Sequence, residues 1–328
     1  MFDDSLLDDA EILAVRGARL EQLALTGARL RHEHAEDVAA AVAGLEGTRP
    51  RSVIVIGAEA RLIRAVAESS CPVPLVTWHL ATLPSWAGPL DLIIVLAGPD
   101  SKLLPTCVEA QRRGALLLVV APPRSTLLDE FGPASVLVTR DDDPFVSAML
   151  ALTTLDVLGL GPRLDLDELA DGLDEVAEIC GPRHGLGDNP AKNLACALAD
   201  SVPLLWGGSI LAARASRRVA EAIREAAGSP ALAADDWALM PLIEGSGPRD
   251  LFADPFEDSE AAPRYCVLVL DDGEQPLQAV DLAQAARSRD VHVETITCVE
   301  GGPVLRYAAL LHHGLFAAAY LGLATIKE

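Results

Sequence analysis

Adjacent histidines and paired acids are the side chains of this sequence best suited to chemistry. His312 and His313 lie side by side in an apolar stretch, where an imidazole could transfer a proton at neutral pH. Because neighbouring side chains on a helix point about 100° apart, at most one faces a site, and packing is the alternative role. Asp271 and Asp272 precede Gly273, and two acids before a glycine form an ordinary turn more often than a metal site. We therefore keep His312 as a candidate catalytic residue and predict no metal.

Two glycines stand where the chain leaves an apolar run, and a ligand could approach the backbone closely at both. Gly57 and Gly98 each follow a run of aliphatic residues. Arg61 and Lys102 come a few residues later and could contact an anion. The alternatives are tight strand-to-helix turns that need no side chain, and surface charges exposed to water.

The elements around these glycines are strands that alternate with helices. Apolar runs predict five strands, at 52–56, 75–78, 91–96, 116–120 and 135–138. Helical spacing lies between them, for example at 59–68 and 103–113. This alternation indicates βαβ units and a doubly wound parallel sheet.

The strand pattern returns in the second half, which indicates an internal duplication. The second set of strands is predicted at 202–206, 266–270 and 291–296. The order strand, glycine turn, helix and strand is the same in both halves. The predicted division is helices at 1–46, a first lobe at 47–143, connecting helices at 144–200, a second lobe at 201–302 and a helix at 303–328 that packs back on the lobes. Two amphipathic helices are expected within 4–46, and a lid or solvated excursion at 244–263.

The charge of the chain argues against two classes of partner. Among 328 residues, 26 Lys and Arg stand against 48 Asp and Glu, which gives a net charge of −22. Such a charge repels nucleic-acid phosphates and anionic lipid headgroups. We expect no nucleic acid and no membrane as partner, and an anionic small substrate would need a local positive pocket.

The cysteines and the N-terminal segment favour a cytoplasmic protein. The six cysteines are far apart, without a CxxC pair or a zinc-spaced cluster, which favours reduced thiols. The first residues are acidic and lack the basic region of a signal peptide. Two apolar stretches, 145–161 and 303–324, contain charged residues and predict buried helices instead of membrane spans.

Two segments carry a resemblance to a known family. Asn189-Pro190-Ala191-Lys192 and the strand at 202–207 resemble the NPAK…IPxIYG passage of the bifunctional phosphoglucose/phosphomannose isomerases. The stretch 314–321 is similar to the final LGDxxSYYLA helix of that family. With its two matching halves, the chain resembles the double-SIS phosphosugar isomerases. Its Ala- and Arg-rich composition is similar to that of the actinobacterial TobH-like branch.

The resemblance implies a fold, a ligand and a reaction. The fold is α/β, with two SIS-type lobes, each a parallel sheet flanked by helices in three layers. A sugar phosphate would bind through hydroxyls and backbone N–H groups at strand-to-helix turns. In the reaction, a carboxylate base moves a proton between C1 and C2 of the open-chain sugar through an enediolate. The resemblance also implies a homodimer and no cofactor.

Matching the family position by position gives the candidate site. Glu225 aligns with the family's base and joins His312 as a catalytic candidate. The substrate-binding candidates are Gly57, Arg61, Gly98, Ser101, Lys102, Gly207 and Ser209.

The sequence departs from the family where the chemistry should lie. The phosphate turn after Gly57 lacks its serine and contains Glu59, while Pro99 and Asp100 replace polar residues beside Gly98. The family's histidine and terminal lysine have no counterpart. We therefore expect a phosphosugar-binding protein with weak or absent isomerase activity and a sensing or regulatory role in mannose and sugar-nucleotide metabolism. The alternatives are an active hexose-6-phosphate isomerase that uses Glu225 as base, and a structural partner without a ligand.

Overall fold

The computed structural model describes residues 1–33, 35–45, 47–99, 102–131, 136–246, 263–274 and 276–326, without the side chains of residues 35, 36 and 276. The chain divides into two units. Thr26–Ala170 form one continuous unit, the central unit. Met1–Leu25 and Asp171–Glu328 together form the other, the terminal unit.

Helices and parallel strands alternate along the described chain. The strands are β1 Ser52–Gly57, β2 Leu75–Trp78, β3 Asp91–Leu96, β4 Leu116–Ala121, β5 Val136–Val138, β6 Val202–Gly207, β7 Leu232–Ala233, β8 Tyr265–Asp271 and β9 His292–Thr297. The helices are α1 Ala10–Arg16, α2 Ala18–Ala24, α3 Thr26–His32, α4 Ala35–Val42, α5 Ala60–Ala67, α6 Leu104–Arg112, α7 Pro144–Val157, α8 Leu166–Cys180, α9 Pro190–Leu198, α10 Ile210–Ala227, α11 Asp236–Glu244, α12 Pro276–Arg287 and α13 Pro303–Ala324. Two 3-10 helices cover Asp4–Leu7 and Thr126–Asp129.

The central unit is built on a five-stranded parallel sheet in the order β2-β1-β3-β4-β5. Its strands are continuous apolar runs because helices cover both faces. On one face, Ile54, Ile93 and Val119 pack with Cys107 and Ala110 of α6. On the other, α5 and α7 pack on each other and on the sheet. The predicted three-layer α/β lobe is confirmed here.

The terminal unit repeats this plan with a parallel sheet in the order β7-β6-β8-β9. Leu204 and Val267 of the sheet pack with Leu239 of α11 and Leu282 of α12. On the other side, α10 packs on β6 and on α13. The first four strands of the central sheet have the same order, so the predicted duplication of an α/β lobe is confirmed.

Helix α13 is the core helix of the terminal unit. It is long and apolar enough to cross a membrane by length and composition, but 72% of that apolar window is buried inside the unit. Helices α9 and α10 cover much of its surface. Its apolar character is thus explained by packing within its own unit, as predicted for a buried helix.

Three details differ from the sequence-based expectation or lie outside it. The two helices expected within 4–46 are a 3-10 helix and four short α-helices, because the chain bends at Gly17 and again at Leu25. At Gly17 a Cβ atom would lie 2.2 Å from the carbonyl oxygen of Leu13. Strand β7 was not predicted, since two residues are too few to show a pattern. Most of the lid expected at 244–263 lies outside the described residues, and the five-part division of the chain stays a prediction.

Candidate functional site

Gly57 forms the turn at the carboxyl end of β1, and the backbone there requires a glycine. Its φ is +111°, and a Cβ atom would lie 2.0 Å from the carbonyl oxygen of Leu96. Glu59 follows in the left-handed conformation and precedes α5 without a side-chain hydrogen bond to the helix. The first N–H groups of α5 therefore receive no cap from this residue and face the carboxyl edge of the sheet.

Gly98 lies at the same edge, because β1 and β3 are neighbouring parallel strands. Nothing lies within 4 Å of the position a Cβ atom would take there, so the turn itself does not demand glycine. The hydroxyl of Ser125, which is 4% exposed, lies 3.5 Å from the Gly98 carbonyl oxygen, and its oxygen accepts from the Leu127 N–H at 3.4 Å. Ser125 is not among the predicted site residues, because its signal in the sequence is only a serine between Pro123 and a short helix.

Two cations lie at this edge of the central sheet. Arg61 is the second residue of α5, Lys102 precedes α6, and both are exposed. Neither forms an ion pair with any residue that the structure describes. Ser101, predicted as a further contact, lies outside the described residues. Arg61 and Lys102 are therefore available to an anion.

Ser209 begins α10 at the corresponding edge of the terminal sheet, but it has an internal partner. Its oxygen accepts from the Ala212 N–H at 3.0 Å, and its hydroxyl makes a short hydrogen bond to the carboxylate of Asp272. Gly207 lets α10 approach closely, since a Cβ atom there would lie 2.3 Å from the backbone of Ala212. Asp272, 4% exposed after β8, places a carboxylate at this turn. From the sequence, Asp272 was expected to belong to an ordinary turn.

Arg306 completes that turn from α13. Its Nη1 donates to the carbonyl oxygen of Asp272 at 2.5 Å, and its Nη2 lies 3.9 Å from the carboxylate of Glu274. The Arg306 side chain is 18% exposed, and its guanidinium already contacts these two residues. The turn after β8 therefore carries the carboxylates of Asp272 and Glu274, and the neighbouring Arg306 already contacts it, which disfavours a bound phosphate.

A groove of about 440 Å³ opens beside Ser209 in the terminal unit. Its lining is aromatic, small and polar, and consists of Trp206, Gly207, Gly208, Ser209, Ile210, Ala213, Arg217, Asp235, Asp236, Trp237 and Gln278. Arg217 Nη2 lies 3.7 Å from Asp235 Oδ1, and the Trp237 side chain is 73% exposed. Of these residues, Gly207 and Ser209 are predicted from the sequence, and the other lining residues are not.

The two catalytic candidates lie on α10 and α13 of the terminal unit. Glu225 is exposed on α10, fifteen residues beyond Ile210. At 1.5 Å per residue, it lies about 22 Å along the helix from the end that lines the groove. His312 is 3% exposed on α13, and its Nδ1 lies 2.9 Å from the carbonyl oxygen of Ala308, one turn earlier. Nothing in the described part of the terminal unit brings Glu225 to Ser209. The catalytic roles of Glu225 and His312 stay predictions.

The NPAK segment holds the terminal unit together. Asn189 caps α9 by accepting from the N–H groups of Ala191 and Lys192, both at 3.0 Å, and donates to the carbonyl oxygens of Cys180 and Gly181. The Tyr320 hydroxyl also donates to Cys180, at 2.9 Å.

Lys192 is a fully buried cation with one carboxylate partner. Its side chain is 1% exposed, and Nζ lies 2.6 Å from Oδ1 of Asp8 and 5.4 Å from the ring centre of Tyr320. The other carboxylate oxygen of Asp8 accepts from the Leu186 N–H at 3.0 Å. The lysine hydrogen bond is the main cause that lowers the pKa of Asp8. These contacts give the segment that carries the family resemblance a structural role.

Other reactive side chains are suppressed by burial. Burial lowers the pKa of His313 to about 4. A hydrogen bond with the Pro190 backbone acts in the opposite direction, but its effect on the pKa is smaller. It raises the pKa of the Cys107 thiol to about 11 and that of Cys180 to about 12, so both stay protonated. Within the described ranges, no group of three or more His, Cys, Asp or Glu side chains could hold a metal ion.

Comparisons with known proteins agree with this fold. Residues 187–326 match the family model of the bacterial phospho-glucose isomerase C-terminal SIS domain. A search of curated proteins finds no match.

Solved structures match over nearly the whole chain. Tagatose-6-phosphate ketose/aldose isomerase from Escherichia coli has a TM-score of 0.65 at 13% identity, covering 95% of this chain and 94% of its own. A glucose-6-phosphate isomerase like protein from Thermus thermophilus has a TM-score of 0.55 at 19% identity, covering 97% and 92%. The C-terminal domain of glucosamine-fructose-6-phosphate aminotransferase from Francisella tularensis has a TM-score of 0.62 at 10% identity, covering 93% and 96%. Residues 187–326 are therefore similar to a SIS domain, and the whole chain has the α/β fold of these phosphosugar isomerase-like structures.

Proposed function

We propose that the protein binds a sugar phosphate, or a related anionic carbohydrate derivative, at the carboxyl edge of the central sheet. Arg61 and Lys102 carry this proposal, because they are exposed cations without ion-pair partners in the described chain. They follow β1 and β3, where the order β2-β1-β3 reverses the direction of the crossovers and opens a crevice. In a chain of net charge −22, two such cations at one edge supply the local positive site an anion needs.

Backbone groups at the same edge support a phosphate. The N–H groups at the start of α5 lack a side-chain cap, and Gly57 and Ala58 beside them are exposed. Ser125 adds no donor, because its buried hydroxyl already donates to the Gly98 carbonyl oxygen. A phosphate needs several donors to replace water, and this edge offers them together with two positive charges.

We propose further that isomerase turnover is weak or absent and that the protein has a sensing or regulatory role in mannose and sugar-nucleotide metabolism. Glu225 and His312 lie in different surroundings. The Glu225 carboxylate is exposed near the end of α10, and the His312 imidazole is buried in α13. Proton transfer requires a base within hydrogen-bond reach of the sugar.

A cytoplasmic homodimer, of the actinobacterial TobH-like type, belongs to the same proposal and rests on the family resemblance. The apolar surface of α13 gives it no support, since α9 and α10 cover that helix.

Binding is tested with fructose 6-phosphate, glucose 6-phosphate and mannose 6-phosphate by calorimetry and thermal shift. At 100 times its Kd a ligand should stabilise the protein by about 2.7 kcal/mol. Arg61→Ala and Lys102→Ala should each weaken binding about tenfold, the loss of one charge-assisted hydrogen bond. Arg49→Ala is the matched control, because Arg49 is exposed near the opposite, amino edge of the same sheet. Failure of all three sugars to bind, or equal loss in the control, would contradict the proposal.

Turnover is tested by a coupled assay with the same sugars. We expect rates far below the median enzyme kcat of about 10 s⁻¹, unchanged by Glu225→Gln. Robust turnover that Glu225→Gln abolishes would establish an active isomerase with Glu225 as base instead.

A further inference from the structure

We propose that the groove of the terminal unit is a second ligand site, which binds a hexose ring that carries no phosphate. The groove lies at the carboxyl edge of its own sheet, between the first residues of α10 and α11 and Gln278 of α12. Its volume of about 440 Å³ falls within the range of small-molecule sites. All its lining residues belong to the terminal unit, so it is separate from the central edge proposed for the sugar phosphate.

Charge excludes a phosphate from this groove. Asp235 and Asp236 line it, and the buried carboxylate of Asp272 lies directly behind Ser209. Arg217 is the one cation among the lining residues, and Asp235 already lies 3.7 Å from it. The repulsion of a phosphate dianion by two lining carboxylates and one buried carboxylate would exceed its attraction to a single arginine. The ligand that fits is neutral or cationic.

Trp237 supplies the apolar surface that a sugar ring needs. Its indole is 73% exposed at the start of α11, although burying it would remove a large apolar area from water. Trp206 forms part of the lining and is only 5% exposed. A hexose presents C–H groups on its faces and hydroxyls around its edge, so an open indole flanked by polar side chains complements it.

The polar lining matches hydroxyl groups better than it matches ions. The Arg217 and Asp235 side chains are 53% and 57% exposed, and at 3.7 Å they are too far apart for a direct hydrogen bond. A hydroxyl placed beside both can accept from the guanidinium and donate to the carboxylate. Gln278 adds an amide that donates and accepts as well. Such a set satisfies a polyol without leaving a buried charge unpaired.

The test is binding of glucose, mannose and glucosamine to the full chain. Binding is followed by calorimetry and by acrylamide quenching of tryptophan fluorescence, because a sugar on Trp237 should shield it. We expect saturable binding of at least one of these sugars. Trp237→Ala should weaken it about tenfold or more, and Asp235→Asn should weaken it less.

Matched variants make the outcome specific. Trp86→Ala removes a tryptophan that is 47% exposed in the central unit and should leave hexose binding unchanged. Lys102→Ala should also leave it unchanged, while Trp237→Ala should leave sugar-phosphate binding unchanged, so the two proposals can fail independently. Circular dichroism verifies that each variant is folded. The inference is overturned if none of the three hexoses binds, if Trp237→Ala binds them as the parent does, or if a sugar phosphate displaces them from the groove.

Discussion

Removing the carboxylate of Asp8 should destabilise the terminal unit more than removing the buried lysine that it pairs with. Lys192 is 1% exposed and has one carboxylate partner, at 2.6 Å. In Asp8→Ala its ammonium stays buried, and among the described residues the face of Tyr320, 5.4 Å away, is what remains to offset its charge. Leaving the buried ammonium of such a pair without its carboxylate costs about 3 kcal/mol.

The converse substitution should be milder. Asp8 is 50% exposed, so in Lys192→Met its carboxylate can turn to water, and methionine fills much of the same volume. We expect a loss of about 1 kcal/mol. The double variant, Asp8→Ala with Lys192→Met, removes both charges and should recover at least half of what Asp8→Ala loses.

Urea unfolding of the four proteins measures this cycle, with amide hydrogen exchange of α9 and α13 to assign the loss to the terminal unit. Asp281→Ala, which removes an exposed acid from α12, is the control and should change the free energy of unfolding by less than about 0.5 kcal/mol. The lysine hydrogen bond lowers the pKa of Asp8 below its usual 3.8, so the pair stabilises the protein above that pH and loses its effect as the solution is acidified further. A loss below about 1 kcal/mol in Asp8→Ala, or a double variant no more stable than Asp8→Ala, would refute this reasoning.

Two further predictions concern the glycine turn after β1 and the imidazole of His313. Gly57→Ala should cost about 2 kcal/mol or more in urea unfolding, since φ is +111° and the new Cβ would meet the Leu96 carbonyl at 2.0 Å. Gly98→Ala, where the space is open, should cost far less, and equal losses would contradict the strain argument. Burial lowers the pKa of His313 to about 4 from 6.5, so between these values the unfolded chain binds more protons than the folded one. The free energy of unfolding should therefore fall by about 3 kcal/mol as the pH drops from 6.5 to 4. His313→Gln should flatten this slope, and an unchanged pH profile would show that another group causes it.

Local sequence patterns predicted the parts of the fold that depend on local physics. The continuous aliphatic runs of β1 and β3 indicated buried parallel strands, and the apolar stretch at 303–324 indicated the buried helix α13. The helices before β1 were expected to be longer because the amphipathic pattern continues through Gly17, where the backbone bends. Strand β7 could not be predicted from two residues that acquire their structure by pairing with β6.

The candidate sites depend on contacts between residues far apart in sequence. Ser209 and Asp272 are 63 residues apart, and only the pairing of β6 with β8 brings them together. Lys192 finds Asp8 across 184 residues, so a motif taken as a family signature did not reveal its partner. Trp237 is a single aromatic residue without a surrounding pattern, and its exposure in a groove is visible only in three dimensions.

The discontinuous terminal unit has a consequence for how the chain folds during synthesis. Met1–Leu25 leave the ribosome before the rest of their unit, yet the Asp3 N–H donates to the Ala324 carbonyl and α2 packs on α13, near the other end of the sequence. About 300 residues separate the two, which at 5–20 residues per second is a wait of roughly 15–60 s. The central unit is continuous and can fold within that interval. Until α13 emerges, α2 lacks the helix that it packs on, so the terminal unit can be completed only after the residues between them have been made.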